Sequence, residues 1–138
     1  MEAKGDMEKQ SVSTGTIWEQ RYSYSRAVRY GDRILVSGTT ATGPSGQLMG
    51  PGDPAKQAHF IFDKIERAIG DLGGRLADVV RTRVYVSNLE HWESIAAVHG
   101  ERFAGINPAN TLVQARLISA EFLVEIEVEA IVGAGDAL

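Results

Sequence analysis

The chain has 138 residues, no cysteine and a net charge of −4. That length makes one domain able to bury a core without staples, and the missing thiols remove disulfides, thiolate nucleophiles and Cys-ligated metals together. The acidic balance argues against nucleic acid as a main partner, and no apolar run approaches the roughly 18 residues of a membrane span.

Residues 1–15 are polar and aperiodic and read as a flexible N-terminal tail, with a single domain over 16–133 and a short C-terminal tail over 134–138. The N-terminus lacks an apolar core of signal-peptide length, so the expected compartment is the cytoplasm. From Thr16 to about Ser25 the mix of Ile17, Trp18, Tyr22 and Tyr24 suggests a strand, with a second short strand over about 25–29. Gly31-Asp32 supplies hairpin-turn chemistry before the apolar run Ile34-Leu-Val-Ser-Gly38, the third strand. Residues 39–52 are small and Gly-rich, which predicts a loop.

Asp53-Pro54 opens a helix, with a carboxylate N-cap and proline at the first helical position. Ala58, Ile61, Phe62, Ile65, Ala68, Ile69 and Leu72 recur at helical spacing, and Gly73-Gly74 ends the run. Residues 79–86 alternate, with Val80, Thr82, Val84 and Val86 on one side and Arg81 and Arg83 on the other. Ser87-Asn-Leu-Glu90 has the form of a capping box for a second helix whose apolar residues include Trp92, Ile95, Val98 or His99, and Phe103.

Two extended segments follow, 108–117 and 123–132. The last alternates without a break, with Val124, Ile126, Val128 and Ala130 opposite Glu125, Glu127 and Glu129. Three carboxylates in a row are a solvated face, a lattice of ion pairs with Arg81, Arg83 and Arg116, or the lining of a pocket. His59, His91 and His99 lack metal-ligand spacing, and neither a P-loop nor a dinucleotide fingerprint is present, so no metal and no cofactor is expected. The order β-β-β-α-β-α-β-β predicts an α+β layer: a six-stranded mixed sheet with two helices on one face. The other face carries polar groups with no second cover, which suggests completion by further subunits.

The run from about Tyr22 to Val132 resembles the RidA/YjgF family, also called L-PSP endoribonuclease-like. The matching segments are 34–38, Gly73-Gly74, 76–86, Pro108-Ala-Asn-Thr111, Ala115-Arg-Leu117 and 124–130. The resemblance implies a chorismate-mutase-like fold, a homotrimer with clefts between subunits, and deamination of reactive enamines and imines by hydrolysis. Carried over by position, Tyr24 and Glu127 become the catalytic pair, Glu127 handling the attacking water, while Ser37 and Gly38 line the substrate site. Where deaminating members carry an arginine that grips the substrate carboxylate, this chain has Asn110, followed by Thr111. Asparagine offers no charge and no fork, so altered specificity is expected. Arg116, Arg81 and Arg83 are the candidate replacement cations, and alternation, which puts Arg116 on the same side as Asn110, favours Arg116. The alternative is a non-catalytic trimeric small-molecule-binding or regulatory module of the same fold, and ribonuclease activity is a third reading.

Overall fold

The structure, a computed structural model, describes residues 8–138. Six strands form one sheet in the order β1-β2-β3-β6-β4-β5. They are β1 (Gln10–Val12), β2 (Ala27–Tyr30), β3 (Arg33–Thr39), β4 (Val79–Val86), β5 (Ala109–Gln114) and β6 (Val124–Ile131). All neighbours are antiparallel except β4 and β5. This is the expected mixed α+β sheet. Helices α1 (Ile17–Tyr22), α2 (Pro54–Asp71) and α3 (Trp92–Arg102) complete the chain.

Strand β6 lies between β3 and β4, and its alternation sets the two faces of the sheet. Val124, Ile126, Val128 and Ala130 are buried, while Glu125, Glu127 and Glu129 are half-buried on the other side. The core is built on the apolar face against α2, whose Ala58, Ile61, Phe62, Ile65 and Ile69 are all fully buried. Asp53 caps α2 by accepting from the Lys56 amide at 3.0 Å, with Pro54 at its start. From α3, Ile95 and Val98 join the core, and Phe103 just past its end meets Phe62 edge-on at 5.4 Å between ring centroids.

Several expectations are corrected. The strand expected over Thr16–Ser25 is the helix α1, because capping prevails over β-propensity: the Thr16 hydroxyl accepts from the Glu19 amide at 3.3 Å, and Ser23 closes the helix in the left-handed region at φ 63°. The first strand is supplied instead by residues 10–12, inside the expected tail, paired with β2. Residues 1–7 of that tail lie outside the described residues. The C-terminal tail is also held, since Asp78 accepts from the Gly133 and Gly135 amides at 3.2 and 2.8 Å, and Arg75 pairs with Asp136 at 2.7 Å. In β4 an irregularity in pairing between Val79 and Arg81 turns Val79, not Val80, into the core. The cap before α3 is Asn88, opening a single 3-10 turn, and α3 itself begins at Trp92, which faces outward.

Phe62 joins α2 to α3 and Phe103, so Phe62→Ala leaves a cavity that neighbouring elements close only partly. A loss of about 3–5 kcal/mol is expected, read as a lowered denaturation midpoint with an unchanged denaturant slope.

Candidate functional site

The register of β4, β5 and β6 decides which side chains share a face. Arg81 stands opposite Glu129, Arg83 opposite Glu127 and Tyr85 opposite Glu125, while Arg83 also stands beside Thr111 of β5. These groups lie on the sheet face away from the core. Thr82 is opposite Val128 and beside Asn110, which puts Asn110 on the core side. Sequence neighbours of the expected site thus separate by one pleat.

Glu127 is engaged on the outer face. The Tyr85 hydroxyl donates to it at 2.6 Å, and Arg83 lies 3.4 Å away while also reaching Glu129 at 3.2 Å. That hydrogen bond raises the pKa of Tyr85, because ionising the phenol would put two negative charges together. The ion-pair lattice therefore exists between Arg83 and the last two glutamates. Arg33 approaches Glu129 from the other flank at 3.5 Å. Arg81 donates to the Thr111 hydroxyl instead, at 3.2 Å.

Glu125 is placed differently. It lines an open cavity of about 510 Å³ shared with Trp18, Tyr24, Arg26, Lys64 and Arg116. Burial pushes its carboxyl up, the neighbouring Glu127 adds to this, and Arg26 opposes it. Gly38 makes room for it: a Cβ there would collide with the Glu125 carboxylate. Gly38 also lines the cavity, whereas the Ser37 hydroxyl is turned to the Ser25 carbonyl at 2.7 Å.

One buried ion pair organises the cavity wall. Glu19 of α1 and Arg26 are each 4% exposed and meet at 3.2 Å. The Glu19 carboxylate also accepts from the Ser13 and Thr14 hydroxyls, both at 2.6 Å, and from the Thr14 amide at 3.0 Å. Burial alone would push Glu19 up; the Ser13 and Thr14 bonds and Arg26 outweigh it and hold its pKa at about 2. Arg26 in turn donates to the Gly38 carbonyl at 2.6 Å and to the Thr39 hydroxyl at 3.2 Å. The pair thus joins α1, with its aromatic side chains, to the strand that carries Gly38. Lys64 of α2 donates to the Thr42 carbonyl at 3.2 Å, and burial pushes its pKa down, reinforced by Arg26.

Of the residues expected from sequence, Tyr24, Gly38 and Arg116 come together in this cavity. Glu127 and Thr111 lie on the outer face of the sheet, beyond the cavity lining. Asn110 belongs to the opposite side. Its side-chain oxygen accepts from Thr82 at 2.9 Å, and Thr82 meets His99 of α3 at 2.8 Å. Arg116 and Asn110 therefore do not share a side as alternation suggested: β5 ends at Gln114, and the chain has left the pleat before Arg116. Glu125 was visible in the carboxylate row without a reason to prefer it. Arg26 and Lys64 carried no local signal, because each acquires its role from a partner distant in sequence.

Glu19 gives a test of this wall. Its folded pKa of about 2 lies below the ordinary 4.5, so its ionised form stabilises the fold above about pH 5, and that stability is lost as pH falls through 4.5 toward 2. The contribution is roughly 3 kcal/mol. In Glu19→Gln, urea midpoints are expected to fall at neutral pH and to lose most of the wild-type dependence between pH 5 and 2.5.

The sequence and the fold are similar to those of known proteins. Residues 17–132 match the model of the family described as Endoribonuclease L-PSP. An uncharacterized protein of Streptomyces coelicolor is 36% identical over 127 residues, covering 91% of this chain and 94% of the relative. The crystal structure of Rv2704 from Mycobacterium tuberculosis, a member of the YjgF/YER057c/UK114 family, is 40% identical with a TM-score of 0.82, covering 91% of this chain and all of that one. YyfA of the Rid protein family, from Yersinia pestis, shares the fold at 24% identity and a TM-score of 0.80, covering 91% of this chain and all of that one.

Proposed function

Because the chain belongs to the endoribonuclease L-PSP family, which includes the YjgF and Rid proteins, we propose that it hydrolyses small reactive enamines or imines to carbonyl compounds and ammonia, with a specificity altered by the loss of the arginine that Asn110 replaces. The observation that carries this reading is a carboxyl with a raised pKa, Glu125, in a cavity beside Tyr24 and Arg116. Such a carboxyl keeps its proton closer to neutrality than an exposed one and can hand it to a leaving nitrogen.

Glu125 and Glu127 stand two residues apart on one face of β6, roughly 7 Å at two strand rises. Glu127 lies just outside the cavity, so it is proposed to act on a water at the cavity's edge, beside a substrate held at Glu125. In the proposed reaction the Glu127 carboxylate, oriented by Tyr85 and Arg83, takes a proton from water as its oxygen adds to the C=N carbon. Glu125 gives its proton to the nitrogen, forming a carbinolamine. The proton now on Glu127 passes to the amine, the hydroxyl returns its proton to Glu125, and the C–N bond breaks as the carbonyl forms and ammonia leaves. Tyr24 is proposed to hydrogen-bond the substrate beside Gly38, and Arg116 to meet its carboxylate.

A homotrimer is part of the same proposal. It is supported by apolar side chains on or beside the outer sheet face that lack cover among the described residues, Leu35, Val113 and Ile131, each more than 40% exposed. A second reading, a binding module without catalysis, is favoured by Asn110, whose bond to Thr82 leaves the usual arginine position with neither charge nor access to the cavity.

Ammonia release from imines generated in place by an amino-acid oxidase separates the two readings. Acceleration is expected for the wild type, with losses of about 10²-fold or more in kcat for both Glu125→Gln and Glu127→Gln at unchanged oligomeric state. The rate is expected to fall as pH rises through the raised pKa of Glu125, since the protonated form is the donor. Ligand binding without acceleration leaves the binding module; a dissociated Glu127→Gln variant makes that residue part of the lattice alone.

A further inference from the structure

The cavity has two chemically different ends, and on the imine-hydrolase reading they specify its substrate more closely. We infer that the ligand is a 2-imino or enamine acid with an aromatic or bulky apolar side chain, not the three-carbon compound that the smallest reactive enamines represent.

The apolar end is built from side chains that find little cover among the described residues. Trp18 and Tyr22, one turn apart on α1, stack with centroids 6.3 Å apart and an interplanar angle of 24°. They remain 42% and 61% exposed, and Ile118, also in the lining, is 76% exposed. Phe122 and Tyr24 continue this wall, and Tyr24 is fixed by the Arg26 guanidinium, 5.6 Å from its ring centroid. The wall is rigidly held, because α1 is tied down through Glu19. A volume of about 510 Å³ lies well inside the ~300–1,000 Å³ of pockets that enclose drug-sized molecules, and a three-carbon acid would leave most of it to water.

The charged end is selected by elimination. Arg26 spends its hydrogen bonds on Glu19, the Gly38 carbonyl and Thr39, while Lys64 donates one of its three N–H groups to the Thr42 carbonyl and, as a point charge, offers no planar fork. Arg116 makes no ion pair or side-chain hydrogen bond among the described residues, yet lines the same cavity. Its guanidinium is therefore the group available for a two-pronged contact with a carboxylate. A carboxylate on Arg116 and a reacting carbon at Glu125 direct the remaining substituent toward the aromatic wall.

The chain contains two tryptophans, Trp18 and Trp92, and Trp92 lies outside the cavity. In a Trp92→Phe background the fluorescence of Trp18 reports the site directly. Phenylpyruvate and pyruvate, the stable oxo-acid products, are titrated against it, and ammonia release is compared for imines made from phenylalanine and alanine. Phenylpyruvate is expected to quench Trp18 and bind at least tenfold tighter than pyruvate, with the phenylalanine imine preferred in kcat/KM. By calorimetry, Trp18→Ala and Tyr22→Ala each reduce that preference, while Arg116→Gln weakens both acids alike. Equal or tighter binding of pyruvate, or a preference that survives both aromatic substitutions, overturns the inference. Tighter phenylpyruvate binding with no acceleration of ammonia release from either imine supports the ligand class and overturns the hydrolase reading, so the two fail separately.

Discussion

The strict alternation of β6 is the constraint on which the structure depends. A central strand paired on both edges cannot slip by one residue without exposing Val124, Ile126, Val128 and Ala130 and burying three carboxylates in their place. That asymmetry commits one face to α2 and α3 and leaves the other polar. It also gives the carboxylate row two fates. Glu127 and Glu129 meet Arg83, whereas Glu125, opposite Tyr85 near the start of the strand, lies where the β3–β6 pairing becomes irregular around Gly38. The irregularity and the absence of a side chain at Gly38 give Glu125 its space.

The Glu19–Arg26 pair performs the complementary task of bringing a distant segment to that space. A buried ion pair is not in itself a source of stability, since desolvation offsets much of its attraction. Here the carboxylate is saturated by hydroxyl and amide donors, and the guanidinium is divided between Glu19 and the backbone around Gly38. The result fixes geometry: a six-residue helix, too short to be stable alone, is held with Trp18 and Tyr22 at the cavity.

Much of the fold was legible because it rests on local rules. The capped and glycine-terminated α2, the Gly31-Asp32 hairpin and the alternating strands each follow from residues a few positions apart. The misreadings have one origin. The segment 16–25 has the composition of a strand, but Thr16 and the buried Glu19 make it a helix, and Glu19 is buried because Ser13, Thr14 and Arg26 meet its carboxylate. Residues 10–12 look like tail and become strand because β2 offers them an edge. The site was legible in part for the same reason: position in the motif singled out Tyr24 and Gly38, whereas Arg116 reaches the cavity without the alternation that suggested it, and the parallel register of β4 and β5 turns Asn110 toward Thr82.

The sequence by itself determined the α+β class, the order of the main elements, the faces of β6 and the family to which the chain belongs, all of which are written in periodicity and short motifs. Only the tertiary structure decided which carboxylate enters the cavity, which cations are already engaged and which has no partner among the described residues. Those properties arise from contacts between Glu19 and Arg26, Lys64 and Thr42, and Gly38 and Glu125, whose separations in sequence are unrelated to their distances in space.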